Sequence, residues 1–277
     1  MASLRRPLVP ALRLPRACRG LLTALAALAG AALPLAAQDG ASRVPFGIGE
    51  SMNYDVRFGP LSVGSGRMDV VGLDTVRGKP SFHVRLELRA GVPGFRVVNV
   101  LESWMERSTL HALRYKEETS QGGRNERKVV EIFPERRAIQ ETVWRPAKGG
   151  PGVEELRRPE SPSVADPLDQ ASFLFFARAQ PLDVGKEYSY DRYYKPSSNP
   201  VTLSVVRREQ VTVPAGTFNT IVVRPLFRSN GIFGQNGRAE VWLTDDDRRL
   251  MVRMETHVAF GTIVLQLKEF TGGGSGT

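Results

Sequence analysis

The chain has 277 residues, of which 38 are Lys or Arg and 29 are Asp or Glu, so its formal net charge is +9. Five of the basic residues are arginines within residues 1–37, which contain no acid, and the other 240 residues therefore carry only +4. A net charge this small gives no basis for binding a polyanion, and we expect no nucleic-acid partner. The only cysteine, Cys18, lies in the same N-terminal stretch, which excludes disulfides, thiolate metal sites and a cysteine nucleophile from residues 38–277.

Residues 1–37 have the order of a secretory signal peptide. The arginines come first, the uncharged run 21–37 follows, and the run ends in small residues after Pro34. This order predicts export and cleavage, although the run is about as long as a short membrane span, so an uncleaved anchor is the alternative. We therefore expect a periplasmic or secreted protein with one β-rich domain at 38–270 and a flexible, glycine-rich tail at 271–277.

From Ser51 onward, apolar residues recur with a period of two. In the clearest segment, residues 82–90, every second side chain is apolar and the side chains between them are polar. Such alternation is typical of a strand with one face on a core and the other in water. The same pattern predicts further strands at 52–58, 66–73, 97–105, 113–119, 128–133, 139–144, 187–194, 201–213, 218–226, 239–244, 250–259 and 263–270.

Short turn sequences such as Gln121-Gly122-Gly123 and Pro214-Ala215-Gly216 separate these runs. Strands joined by so few residues pair antiparallel, because parallel strands need long crossover connections. The sequence therefore predicts a mainly β fold, a curved antiparallel sheet or half-barrel built as a meander. The stretch 145–165 contains four prolines and three glycines, and it is predicted to be a long irregular loop.

One short helix is predicted near residues 167–178. Asp166 is its expected N-cap and Pro167 its first residue, and the helix should end at Arg178. The consecutive residues 173–176 are all large and apolar, and at ~100° per residue they point around most of the helix. We therefore expect the helix to lie buried inside the hollow of the curved sheet; packing on one sheet under a covering loop is the alternative.

Four stretches, taken together, resemble a known family. They are 45–56 (PFGIGESMNYDV) followed by Gly64-Ser65-Gly66, then Asp166-Pro167-Leu168-Asp169 with Ser172 and Arg178, then 208–218 (REQVTVPAGTF), and finally 241–252 (VWLTDDDRRLMV). In this order they resemble the bacterial domain-of-unknown-function family 3108, over residues 46–270. The resemblance implies an exported, β-rich envelope protein, and it implies no activity and no catalytic residue. Met251 stands where the family pattern leads us to expect proline.

No arrangement of residues indicates a catalytic or metal site, so we expect a non-enzymatic protein without a cofactor. The three histidines, at positions 83, 111 and 257, fit no metal-ligand spacing. The acidic run Asp245-Asp246-Asp247 could suggest calcium. Because Arg248-Arg249 follows at once, a solvated hairpin turn is the better interpretation.

Two charged residues are candidates for buried polar positions. Glu102 stands on a strand face that is otherwise apolar, where an inward carboxylate with an arginine partner is expected. Arg178 is the last residue of the apolar helix. Its positive charge there either interacts favourably with the helix dipole or pairs with a buried acid such as Glu102. Glu50, Asp166 and Glu240 are the other acids in apolar surroundings.

Five phenylalanines are candidate residues of a ligand cavity: Phe173, Phe175, Phe176, Phe95 and Phe233. The first three belong to the predicted helix, and the last two lie in the glycine-flanked loops 91–95 and 230–234. Apolar loop tips can enter a ligand cavity or touch a membrane surface. The alternative is that they fold back over the end of the sheet.

Three functional hypotheses remain. The favoured one is a non-enzymatic exported binding module that holds an apolar small molecule, such as a lipid or an acyl chain, in the hollow of the sheet. The second is a structural or assembly protein that binds another envelope protein through a sheet edge. The third is a hydrolase with paired carboxylates. Membrane contact is expected only through the signal peptide or the apolar loop tips, and the sequence does not indicate an oligomeric state.

Overall fold

The strands predicted from the period of two form one antiparallel sheet in the computed structural model of this chain. The structure describes residues 44–92, 94–148, 150–228, 239–258 and 261–272, with the backbone only for Val92, Phe95 and Val258. The predicted signal peptide at 1–37 lies outside the described residues. All the described residues belong to one compact unit, Gly40–Thr277.

Fifteen strands and one α-helix follow one another along the described chain. They are β1 Ser51–Phe58, β2 Leu61–Val76, β3 Lys79–Val92, β4 Phe95–Glu106, β5 Ala112–Gln121, β6 Arg124–Phe133, β7 Ala138–Pro146, β8 Val153–Arg157, β9 Ser161–Pro162, α1 Gln170–Arg178, β10 Glu187–Tyr190, β11 Val201–Val213, β12 Gly216–Leu226, β13 Glu240–Thr244, β14 Met251–Val258 and β15 Gly261–Thr271. Two short 3₁₀ turns lie at Pro134–Arg136 and Pro196–Ser198.

Neighbours in the sheet are almost all neighbours in the chain. The order is β10-β11-β12-β13-β14-β15-β1-β2-β3-β4-β5-β6-β7-β8, and β9 pairs with β7 beside β8. The one long-range ladder joins β15 to β1, with Ser51 opposite Thr271. The predicted antiparallel meander is therefore confirmed. Thr271 belongs to this ladder rather than to the flexible tail, and residues 273–277 lie outside the described residues.

The predicted irregular loop at 145–165 is wrong in part. The end of β7 and the whole of β8 and β9 lie within it. Prolines are compatible with these elements because β8 and β9 are at the edge of the sheet, where a missing N–H breaks no ladder on the outer side. Pro146 and Pro162 stand at the last positions of β7 and β9.

Helix α1 begins three residues later than expected. Its N-cap is Asp169, whose carboxylate accepts hydrogen bonds from the backbone N–H groups of Ala171 and Ser172, and the predicted N-cap Asp166 is wrong. The reason is a long-range pairing: Leu168 forms a parallel bridge with Tyr193, and this bridge holds the preceding residues extended. The predicted end at Arg178 is confirmed.

The helix lies in the concavity of the sheet. All of its residues from Ala171 to Arg178 are buried. It packs against β3 and β4 and, on its other side, against side chains of β11, β12 and β13. Because β4 and β12 are far apart in the strand order, the sheet must curve around the helix, as predicted. The void left between the helix and β11–β13 is only about 10 Å³, so the helix fills this part of the hollow.

Among the described residues, no helix is both long enough and apolar enough to cross a membrane.

Candidate functional site

Register places the inward side chains of β2–β6 in rows that run across the strands. The row beside helix α1 is buried and consists of Val70, Val84, Ser103, Tyr115 and Val130. The next two rows, farther from the helix, are Met68, Leu86, Leu101, Glu117 and Lys128, then Gly66, Leu88, Asn99, Thr119 and Glu126. The helix thus covers one part of the inner face and leaves another part beyond it.

The part of the inner face that lies beyond the helix changes from apolar on β3 and β4 to charged on β5 and β6. Its half-buried members include the polar Asn99 and Thr119 and six side chains called the open inner face below: Leu86, Leu88, Ala90, Leu101, Glu117 and Lys128. The apolar side chains lie on β3 and β4, and they border the main core. The charged ones lie on β5 and β6, where the Lys128 ammonium binds the Glu117 carboxylate and the Tyr115 hydroxyl donates to the same carboxylate at 3.3 Å. An apolar floor therefore meets a charged margin.

A buried polar cluster sits at the N-terminus of the helix. The Ser103 hydroxyl on β4 donates to the Asp169 carboxylate at 2.6 Å, and the backbone N–H groups of Ala171 and Ser172 donate at 2.9 and 2.8 Å. The Ser172 hydroxyl in turn accepts from the Asp169 N–H at 2.7 Å. This capping box ties the start of the helix to the row beside it.

Burial governs the titration of this cluster. It raises the pKa of Asp169 to about 6, although the hydrogen bonds from Ser103 and Ser172 favour the charged form. Burial also raises the pKa of Tyr193 to about 12 and holds the pKa values of Tyr115 and Tyr194 well above their usual value. These phenols therefore stay neutral at ordinary pH and can act as hydrogen-bonding groups only.

The other end of the helix carries a buried ion pair. The Arg178 guanidinium donates to both oxygens of Glu50, at 2.6 and 3.0 Å. Its remaining N–H groups donate to the backbone carbonyls of Pro45, Arg248 and Arg249 at 2.9 to 3.1 Å. Each nitrogen of the guanidinium and each oxygen of the Glu50 carboxylate therefore has at least one hydrogen-bond partner.

A profile of the family described as a protein of unknown function (DUF3108) matches residues 53–268. The chain belongs to the DUF3108 family. The match runs from β1 to β15, and the resemblance found in the sequence is therefore confirmed. No curated protein matches the DUF3108 chain.

Solved structures similar to the DUF3108 chain share little sequence with it. A β-barrel-like protein of the domain of unknown function 1849 from Brucella abortus is 10% identical, with a TM-score of 0.47 over 83% of this chain and 99% of the other. A predicted lipoprotein from Parabacteroides distasonis is 12% identical, with a TM-score of 0.31 over the same shares. A predicted exported protein with a YmcC-like fold from Bacteroides fragilis is 12% identical, with a TM-score of 0.28 over the same shares.

The three helix phenylalanines that were predicted to line a ligand cavity of this DUF3108 protein pack in its core instead. Phe173, Phe175 and Phe176 are buried in the packed core, where Phe175 meets the Phe46 ring edge-on at 5.2 Å. The side chain of Phe95 is not described, and Phe233 lies outside the described residues. The described void beside these helix residues is about 10 Å³ and is too small for an apolar ligand.

The expected inward position of Glu102 is wrong. Ser103 and Met105 of β4 are fully buried and point inward, so Glu102, directly before Ser103 in the chain, lies on the opposite, outer face. Its carboxylate binds Lys116 at 3.0 Å and His83 at 3.2 Å. Burial alone would raise the pKa of Glu102, but the hydrogen bond and charge of Lys116, with smaller effects of other cations, hold it below its usual value.

The suggested pairing of Arg178 with Glu102 is also wrong, because Glu50 occupies that position. Glu50 was expected only to be an acid in apolar surroundings. The pattern Asp169-x-x-Ser172 resembles a capping box and was the available signal for the true helix start. The acidic run 245–247 is a turn between β13 and β14, as predicted, in which Asp246 binds Arg248 at 2.6 Å.

Metal binding finds no support in the described part of the DUF3108 chain. Within the described ranges, no group of three or more His, Cys, Asp or Glu side chains is placed to hold a metal ion. His83 stacks on Trp104 with 4.4 Å between ring centroids, and His111 faces Asp166 at 3.1 Å.

Proposed function

We propose that this protein is an exported binding module of the cell envelope that holds an amphiphile on its open inner face. The apolar chain of the amphiphile would lie on Leu86, Leu88 and Leu101, and its polar head would meet Glu117 and Lys128. The observation that carries the proposal is the register of this face, which sets an apolar floor on β3 and β4 beside a charged margin on β5 and β6.

The open inner face suits such a ligand better than the hollow around the helix. The helix leaves a void of about 10 Å³, which accommodates at most one water molecule. By contrast, the four apolar side chains of the open inner face are half-buried and continuous with the core. A chain laid along them gains ~0.8 kcal/mol for each methylene removed from water, before the costs of ordering are deducted.

A binding role without a chemical step fits the polar groups near this face. Asp169 is a buried carboxylate beside hydroxyls, yet its oxygens are already engaged by Ser103 and by the first turn of the helix. Its raised pKa follows from burial, which a structural cap accounts for. Residues 1–37 contain basic residues, then an apolar run, then small residues. This order supports a location in the cell envelope, where amphiphiles are abundant.

A titration with a fluorescent lysophospholipid tests the proposal. The unit Gly40–Thr277 should bind the probe, and Leu88→Asp should weaken binding by at least about tenfold, because it sets a charge against the apolar chain. The matched control is Arg89→Asp: its side chain lies on the outer face next along β3 and is largely exposed. No binding by the unaltered unit, or equal losses in the two variants, would contradict the proposal.

A second candidate function, binding of another envelope protein by strand addition, has its own observation. Within the described residues β8 pairs on one side only, with β7, and its first residue, Val153, is 72% exposed. An open strand edge can accept an extended partner segment. Replacing Glu155 by Pro should abolish such a complex and leave lysophospholipid binding unchanged.

A further inference from the structure

We infer that the side of the sheet at which one set of its strands ends, formed by hairpin turns, docks on an anionic membrane surface. In an antiparallel sheet, alternate strands run in the same direction, so β1, β3, β5, β7, β10, β12 and β14 all end on one side of the sheet. The five short connections after β1, β3, β5, β7 and β14 form what is called the hairpin end below. The longer connection after β10 holds Asp191, Arg192 and Lys195 and is not part of it, and most of the connection after β12 lies outside the described residues. The inference goes beyond the proposed function and does not depend on it.

The hairpin end differs from the opposite edge in its charges. The connecting segments 57–62, 91–97, 120–125, 146–153 and 256–263 contain four basic residues and no acid. The segments at the opposite edge, 76–79, 106–112, 133–138 and 244–251, mix seven basic residues with five acids. Several of those charges neutralise one another, as in the pair of Lys79 with Glu106 at 3.4 Å.

Three of the four basic side chains of the hairpin end are free to meet a partner. Arg96, Arg124 and Lys148 are exposed, and they form no ion pair or side-chain hydrogen bond with any described residue. Arg57 donates to Asp55 and to the carbonyl of Pro60, which holds its guanidinium beside the β1–β2 turn. The three unpaired cations, Arg96, Arg124 and Lys148, attract an anionic surface.

An apolar side chain projects from the same end. Leu61, directly after the β1–β2 turn, is 61% exposed, and Val153 at the start of β8 is 72% exposed. An exposed leucine set among arginines fits the boundary between lipid head groups and acyl chains, and it has no role in contact with a polyanion such as a nucleic acid. The combination therefore selects a bilayer with anionic lipids as the partner.

Docking in this orientation would direct the open inner face toward the bilayer. Ala90 lies two residues before the end of β3, and Leu88 lies four residues before it, so both are next to the hairpin end. An acyl chain that leaves the membrane would then meet the apolar floor without crossing water. Membrane docking would therefore help an acyl chain move from the bilayer onto the open inner face.

Vesicle flotation tests the inference on the unit Gly40–Thr277, which contains every described strand, the helix and the core. Vesicles of phosphatidylcholine alone are compared with vesicles of equal parts phosphatidylcholine and phosphatidylglycerol. At low salt the unit should bind the anionic vesicles at least about tenfold more tightly, and high salt should abolish the difference. No binding to either vesicle, or equal binding to both, would overturn the inference.

Two matched pairs of variants locate the contact. Leu61→Asp should weaken binding by about fivefold or more, whereas Ile48→Asp, equally 61% exposed but at the opposite edge, should leave it unchanged. Arg96→Glu with Arg124→Glu should weaken binding by about tenfold or more. Lys186→Glu with Lys268→Glu makes the same change in net charge away from the hairpin end and should have under about twofold effect. Equal losses within either pair would overturn the placement, and circular dichroism must show all variants folded.

Discussion

The Arg178 guanidinium and the Glu50 carboxylate form a bidentate ion pair in which each side chain is only 1% exposed. The pair joins three parts of the chain, because the guanidinium also bonds the carbonyls of Pro45 and of Arg248 and Arg249. The end of helix α1 is thereby attached to the segment before β1 and to the β13–β14 turn.

Removal of one partner of this pair should destabilise the fold strongly. Arg178→Ala leaves the Glu50 carboxylate buried without a counter-charge, and we expect a loss of about 3–5 kcal/mol in the free energy of unfolding. Urea denaturation of the purified protein measures it. Arg67→Ala removes an exposed ion pair with Asp69 and should cost about 0–1 kcal/mol. Similar losses in the two variants would show that the buried pair has no special role.

The stability of the protein should depend on the ionisation of Asp169. Burial raises its pKa from 3.8 to about 6, so the folded state binds the proton more tightly than the unfolded state does. The protonated form therefore adds stability that is fully present below about pH 4 and is lost as the pH rises through about 6. The difference is on the order of 3 kcal/mol.

Asp169→Asn removes this titration and keeps a side chain that can cap the helix. The free energy of unfolding, measured from pH 4 to pH 7 in both proteins, should fall more steeply with pH in the wild type. The comparison is needed because Glu102 and Glu240 have lowered pKa values, which change stability in the opposite direction. Parallel curves would contradict the buried, raised-pKa position of Asp169.

The glycine at position 64 should be irreplaceable for a steric reason. A Cβ atom added there would lie 1.9 Å from the backbone oxygen of Arg89 and 2.7 Å from the Cα of Ala90, so β2 and β3 would have to separate. Gly64→Ala should therefore cost about 1–3 kcal/mol or more. Gly72, also in β2, has no atom within 4 Å of such a Cβ, and thermal melts should show little change in Gly72→Ala. Equal melting temperatures of the two variants would refute the close approach.

The helix should act as a structural peg of the sheet. Phe175 is fully buried against Phe46, and Phe175→Ala should cost about 3–5 kcal/mol, while Phe175→Asp should prevent folding. Val153→Ala, at an exposed position, should change the free energy of unfolding by less than about 0.5 kcal/mol. Chemical denaturation followed by tryptophan fluorescence measures the stability of Phe175→Ala and Val153→Ala. Circular dichroism shows whether Phe175→Asp folds. A folded Phe175→Asp protein would show that the helix is not enclosed.

The sheet was predictable because its signal is local. Alternation within residues 82–90 and the short turns between runs depend only on near neighbours, and the structure follows both. The strands β8 and β9 escaped prediction because they are short, proline-flanked edge segments whose pairing is set by β7. The start of the helix was misplaced because Leu168 pairs with Tyr193, a contact that local capping rules do not include.

The site was less predictable, because it depends on which strands become neighbours. Glu50 and Arg178 are 128 residues apart, and nothing in one sequence assigns them to each other. Glu102 was placed on the wrong face because residues 97–101, apart from Asn99, are apolar on both faces of β4, so alternation does not identify the inward face. The open inner face appears only when β3 to β6 are aligned in register.

Native mass spectrometry of the protein isolated gently from its own envelope tests the central claim most directly. The account predicts added masses that correspond to molecules with an acyl chain, retained by the wild type and lost from Leu88→Asp but not from Arg89→Asp. A protein that carries no such mass, or that retains it equally in both variants, would contradict binding on the open inner face.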